Sequence, residues 1–418
     1  MSLAVSLSVM AQNNTNSPYS QFGLGELSDQ SVGFNKALYG TGMAIRNGRD
    51  VNPQNPASYS AVDSLTMLFD VGLSGQLTNF SERGSKVNAR NAGFDYAVAQ
   101  FRVLRHVGVG VGVLPYSSIG YKYVSTIDLA NGESQDKVYG TYSGSGGLHE
   151  VYLGAGWEVV KGFSLGFNAG YLWGDLDRRI VTSSTASINT LSKLYTASVA
   201  SYKLDFGAQF DVPLGKNDAL TVGLGYGLGH KLGSDPECMV INTNATISKA
   251  DTTLMTIGNG LSLPTSLSAG VSYRHGNVLT IAADARLDKW GSVDFPNYAD
   301  GEYALKSGLL KDSYKFSGGL EWTPKAMSRN LFHRIRYRIG GGYSTSYFKV
   351  GHKDGPQLIG ASAGFGIPIT NGYNNRSYLN ISAQWQHALA VNMITENTFR
   401  INIGLTFNER WFAKWKVE

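Results

Sequence analysis

The residues able to carry chemistry in this chain are charged side chains set at alternate positions inside otherwise apolar or glycine-rich runs. Asp70, Glu158, Asp205, Asp211, Asp284, Arg286, Asp288, Lys315, Glu321, Arg334, Arg336, Arg338 and Arg400 all fall on the polar phase of such runs. Arg334, Arg336 and Arg338 stand two apart, so on an extended strand they form one row on one face. The run ending near Ile369 offers only Gly360, Ser362, Gly364 and Gly366 on one phase, which leaves room for long guanidinium groups beside it. Charges held away from water must pair, because an unpaired one is costly. Two chemistries are open: an internal ion-pair network, or an anion-attracting path past the arginine row.

Other chemistry does not assemble. GVGVGV at 108–113 and GLGYGLG at 223–229 mimic phosphate loops, but their glycines alternate with apolar residues and no helix start follows to hold a phosphate. They read as small inward-facing residues of strands. The seven histidines form no HExxH and no pair at ligand spacing, and the single Cys238 builds neither a zinc site nor a disulfide framework. It reads as a loop residue. Asp175 and Asp177 lack the loop that a calcium site needs, and no Ser-His-Asp constellation follows from spacing. The chain is therefore expected to be no enzyme, with no metal and no cofactor. Its formal net charge of +5 comes from scattered Lys and Arg residues rather than a basic block, which argues against nucleic acid as a partner.

The elements that must position these charges are strands. From about residue 64 the chain alternates apolar and polar with period two, as in Phe399, Ile401, Ile403, Leu405 and Phe407 against Arg400, Asn402, Gly404 and Thr406. The pattern predicts fourteen strands between about 64 and 410, each long enough to cross a bilayer when tilted. Tight turns near 104–106, 160–162, 215–218 and 275–277 alternate with long polar connections at 127–146, 184–195, 234–264 and 290–312. Short periplasmic turns and long extracellular loops are the signature of a transmembrane antiparallel β-barrel in the bacterial outer membrane. Only 16% of the 418 residues are charged, and the mean hydropathy of −0.14 suits walls whose every second residue is polar. A soluble β-sandwich would need neither the strand length nor the loop alternation. Tyr121, Tyr123, Trp173, Trp290, Trp322, Trp411 and Trp415 are expected to form interfacial girdles beside outer-membrane lipid.

The first residues differ in kind. Residues 1–11, ending Val9-Met10-Ala11, read as the remnant of a signal peptide. Residues 12–63 hold glycines, asparagines, prolines and aromatics without alternation, which suits a plug folded inside the lumen. The barrel proper is expected over 64–412 and a periplasmic tail over 413–418.

Gly40 to Gly42, then Asn55-Pro56-Ala57, then a strand opening at Ser64, resembles the FadL-type family of outer-membrane transporters. The resemblance implies a fourteen-strand barrel with an N-terminal hatch, and Asn55, Pro56 and Ala57 as its plug motif. It further implies passive transport of small hydrophobic or amphipathic molecules, with a hydrophobic small-molecule ligand. Barrel subunits associated with type IX secretion look like the same superfamily and act by binding partner proteins. On that side the chain is expected to be a structural or assembly subunit, in secretion or barrel-assembly machinery, with a sealed lumen and envelope proteins as partners. Charges on the inner wall sit better with an amphipathic than with a purely apolar cargo.

Overall fold

The computed structural model describes residues 15–409, apart from 65, 83, 132–133, 186, 245, 247–248, 370–376 and 391–392. Expectations for the signal remnant, the tail, Trp411 and Trp415 lie outside the described residues. Fourteen strands form one closed antiparallel wall. They are β1 Met67–Glu82, β2 Ser85–Leu104, β3 Val107–Pro115 resuming as Ser117–Asn131, β4 Ser134–Val160, β5 Phe163–Ser184, β6 Ser187–Pro213 and β7 Asp218–Gly227. The remainder are β8 Ser266–His275, β9 Leu279–Asp288, β10 Ser313–Trp322, β11 Arg336–Ser344, β12 Gln357–Ile369, β13 Ser377–Leu389 and β14 Thr395–Glu409. β1 and β14 pair from Met67↔Glu409 to Ser81↔Thr395 and close the ring.

Closure follows from the solvent: backbone polar groups in hydrocarbon find no water, so a spanning sheet must join its own edges. The period-two pattern then sorts side chains between lipid and lumen. On β14, Ile401 is 46% exposed on the outer face while Asn402 is 4% exposed on the inner one.

Above the membrane the structure departs from the long polar loops expected at 127–146, 184–195 and 234–264. These stretches continue largely as strand. The upper parts of β3, β4, β5 and β6 form one sheet, to which the hairpin Glu237–Asn244/Lys249–Thr256 adds along Asn189–Thr196 of β6. Once a strand leaves lipid, its outer face no longer has to be apolar, so the alternation that marked it fades. The sheet carries Gly147 (φ +142°) and Gly174 (φ +146°), near neighbours across β4 and β5 whose backbone conformation a side chain rarely permits. It then covers a second apolar core in which Ile119, Tyr121, Leu176 and Val199 meet Leu232, Leu261, Trp290, Tyr347 and Phe348. Tyr121 and Trp290 therefore belong to this cap rather than to a lipid girdle, and Tyr123 packs against the same core. Cys238, expected in a loop, sits on the strand Glu237–Asn244 and is fully buried. Trp322 does stand in a lipid-facing aromatic row, 5.7 Å from the ring of Tyr337, itself 5.7 Å from Phe365.

Inside the ring lies the N-terminal segment. Val32, Phe34, Leu38, Ile45, Val51 and Tyr59 pack with Leu68, Tyr96, Val98 and Tyr152 of the wall in a core of their own. The fit depends on bare wall positions: a β-carbon at Gly108 would overlap the carbonyl oxygen of Tyr59, and one at Gly223 that of Met43. The alternating glycines of both runs are thus where the plug backbone touches the wall. Gly108→Val and Gly223→Val should each cost about 1–3 kcal/mol through overpacking. Gly258→Val, whose β-carbon meets nothing within 4 Å, serves as the neutral control. Urea unfolding in detergent, with protease access to the plug as a second readout, checks all three.

Candidate functional site

The candidate site is the lumen, which the plug divides. Asn55, Pro56 and Ala57 hold the plug to the wall. Pro56 starts the 3-10 turn Pro56–Ala61, and the Asn55 side chain caps it by accepting from the Ala57 amide at 3.1 Å. The Asn55 amide group also donates to the carbonyls of Met43 (2.8 Å), Ala208 on β6 (3.2 Å) and Leu224 on β7 (3.4 Å). One buried side chain so satisfies the turn and stitches two strands to the plug.

Several expected charges complete this attachment. Asp284 accepts from the amides of Gly42 and Met43 at 2.6 and 2.8 Å. Arg336 reaches Asp50 of the plug at 2.8 Å, with both side chains almost wholly buried, and its guanidinium stacks on Tyr378 with 3.8 Å to the ring centroid. Arg338 pairs with Glu321 at 2.6 Å and donates to Asn380. Asp70 accepts from Tyr96 (2.9 Å) and Thr406 (2.7 Å). Arg334 stands apart, on the one-turn helix Leu331–Arg334 ahead of β11, so the row of three arginines is a pair within the strand. Glu158 lies at the periplasmic rim beside His106 (2.6 Å) and Arg46 (3.9 Å). Asp211 is nearby, with Thr221 at 2.6 Å and Arg274 at 3.9 Å.

Above the plug is a cavity of about 400 Å³, lined by Asp284 again and by the remaining expected charges, Asp205, Arg286, Asp288, Lys315 and Arg400. Arg286 pairs with Asp288 at 2.9 Å, and Arg400 donates to Gln76. Lys315 stands 3.9 Å from Asp29 of the plug. Burial alone would raise the Asp29 carboxyl, but the ammonium groups of Lys315 and Lys36, with Ser31, hold it well below the usual carboxylate range. Lys203 bridges Asp205 and Glu150. Both Lys203 and Glu150 sit on the inward phase of their strands and could have been named from it. Their plug-side counterparts Asp29, Lys36 and Asp50 could not, because the plug has no period to assign a phase.

The wall has one interruption among the described residues. β2 and β3 pair only between Ala97–Leu104 and Val107–Val113, so Ser85–Tyr96 has β1 on one edge and no strand on the other. The N-terminal segment occupies this seam. The Asn16 side chain donates to Asn91 on β2 at 2.7 Å, and the Gly120 amide and Tyr123 hydroxyl of β3 donate to Ser20 and Gln21. Glu26 and Leu27 pair as a short strand with Ser118 and Ser117. The same segment reaches β14, with Ser17 on Glu396 and Tyr19 on the carbonyl of Ile394.

The family described as BamG matches residues 1–418, the whole chain. The chain belongs to the BamG family. No curated protein matches it in sequence. Among solved structures, a Pseudomonas aeruginosa FadL homologue superposes with a TM-score of 0.63 at 11% identity, covering 92% of this chain and 99% of its own. The Pseudomonas putida toluene transporter TodX gives 0.60 at 13% identity, over 92% and 100%. The Ralstonia pickettii toluene transporter TbuX gives 0.60 at 12% identity, over 90% and 98%. These likenesses show a shared fold: this BamG-family chain has the closed fourteen-strand architecture of the FadL-type barrels that the sequence resembled.

Breaking the Arg336–Asp50 pair should be severe. Arg336→Leu leaves a buried carboxylate unpaired and should cost about 3–5 kcal/mol. The double variant Arg336→Leu/Asp50→Leu should recover most of that loss in a double-mutant cycle of urea unfolding.

Proposed function

We propose that this chain is a passive outer-membrane conduit for small amphipathic molecules, with a lateral route through the wall. The observation that carries the reading is where the cavity lies: its lining includes both edges of the seam, Asn91, Gly93 and Asp95 on β2 and Leu114, Pro115 and Ser118 on β3. A molecule held above the plug meets the one stretch of wall, among the described residues, that strand pairing does not seal. The packed core of the plug, from Val32 to Val62, stays in place on this route while residues 15–27 move aside. The neighbours TodX and TbuX, described as toluene transporters, support a conduit. The lining here mixes Tyr39, Tyr116 and Phe348 with Arg286, Lys315, Gln384 and Arg400, which suits a cargo with a polar head better than a bare hydrocarbon.

A second reading is a structural or assembly subunit of an envelope complex with a sealed lumen. It is favoured by the interlock of plug backbone with wall glycines, which leaves the plug no room to shift.

Both readings meet one experiment. With Cys238→Ala as background, Asn16→Cys and Asn91→Cys are joined through disulfides by a short bis-methanethiosulfonate, and uptake of a fluorescent amphiphile into proteoliposomes is followed. The conduit predicts uptake above that of protein-free liposomes, abolished by the cross-link and restored by reduction. Uptake unchanged by the cross-link overturns the lateral route. No uptake in the uncross-linked protein, with recovery from membranes in a fixed complex, replaces the conduit with the subunit.

A further inference from the structure

The connection between β10 and β11 is longer than the other described periplasmic turns. Residues 323–335 contain three large apolar side chains in the open: Met327 is 88% exposed, Phe332 68% and Leu331 42%. Exposed apolar side chains on a floppy loop would mean little, but this loop is built. The Lys325 amide donates to the His333 carbonyl at 2.8 Å, the Asn330 side chain caps the turn by accepting from Phe332, and the Ile335 amide closes on Leu331. Its backbone is thus largely satisfied from within, the condition for resting against hydrocarbon.

Its position is fixed as well. The Tyr337 hydroxyl donates to the Phe332 carbonyl at 3.0 Å, and the Tyr337 ring belongs to the lipid-facing row with Trp322 and Phe365. The loop is therefore tied to the outer side of the wall and continues the surface that already meets the bilayer. Its charge is one-sided too: Lys325, Arg329 and His333 are exposed, and Thr323–Arg338 holds no Asp or Glu.

We propose that residues 323–335 form an interfacial anchor on the periplasmic leaflet, with Met327, Leu331 and Phe332 at the acyl boundary and Lys325 and Arg329 against anionic phospholipid headgroups. Apolar groups beside cations on a structured turn are what such a surface binds. The anchor is independent of the conduit and stands whether or not the lumen transports anything.

A bimane fluorophore on Met327→Cys, in the Cys238→Ala background, reads the contact in full-length protein in liposomes of phosphatidylethanolamine with or without phosphatidylglycerol. A second label at Lys161→Cys, on the tight turn between β4 and β5, is the aqueous control. The expected result is quenching of the 327 label by phospholipid carrying a spin label near the headgroup, with iodide quenching reduced about twofold or more against the control. Phosphatidylglycerol should strengthen the lipid quenching, and Lys325→Gln/Arg329→Gln should remove that gain. A 327 label as open to iodide as the 161 label overturns the anchor. So does a label shielded in native membranes but water-exposed in liposomes, which would assign the loop to a protein partner. Equal lipid quenching with and without phosphatidylglycerol overturns the headgroup contact.

Discussion

Every part of this molecule answers to one constraint: a backbone that crosses hydrocarbon must find all its hydrogen-bond partners within the protein. The ring of fourteen strands meets that demand by closing β1 on β14. Where the ladder between β2 and β3 stops, the demand passes to another segment, and residues 16–27 take it up with side-chain bonds and a two-residue strand. The N-terminal segment is thus part of the wall as well as the filling of the lumen, and the cavity opens against both.

The interior follows a second rule, that a close approach of two backbones requires missing side chains. Gly108 and Gly223 face Tyr59 and Met43 with no room for a β-carbon. Charge then supplies what contact area cannot. Arg336 with Asp50 and Asp284 with two plug amides fix the register of the plug against strands far apart in sequence. Six of the charges expected inside line the cavity, Asp284 among them, so one lining serves both attachment and the chemistry open to a ligand.

Much of this was legible in the chain. The period of two gave the strands, and phase within them put Asp284, Arg336 and Arg338 indoors without any structural knowledge. The plug motif at Asn55 was visible as a motif, though its work as a cap and a stitch was not. What stayed hidden has a physical cause in each case. The partners Asp29 and Asp50 lie in a segment without periodicity. The strands of the extracellular cap lost their apolar signature on leaving lipid, which is why Cys238 and Trp290 were misplaced. The seam is an absence of pairing, and no residue type marks a hydrogen bond that is not made. Arg334 kept the right phase but fell on a turn that sequence spacing alone read as strand.

The contacts of Ser17 with Glu396 and of Tyr19 with Ile394 join positions 379 and 375 residues apart. The chain's first described residues can take their places only after its last strand has arrived. The bonds of Ser17 and Tyr19 and the closing hairpin of the ring are therefore secured together. Such long-range dependence makes maturation slow. A ring whose last strand is missing lacks these two bonds, so its amino-terminal stretch is held only by β2 and β3.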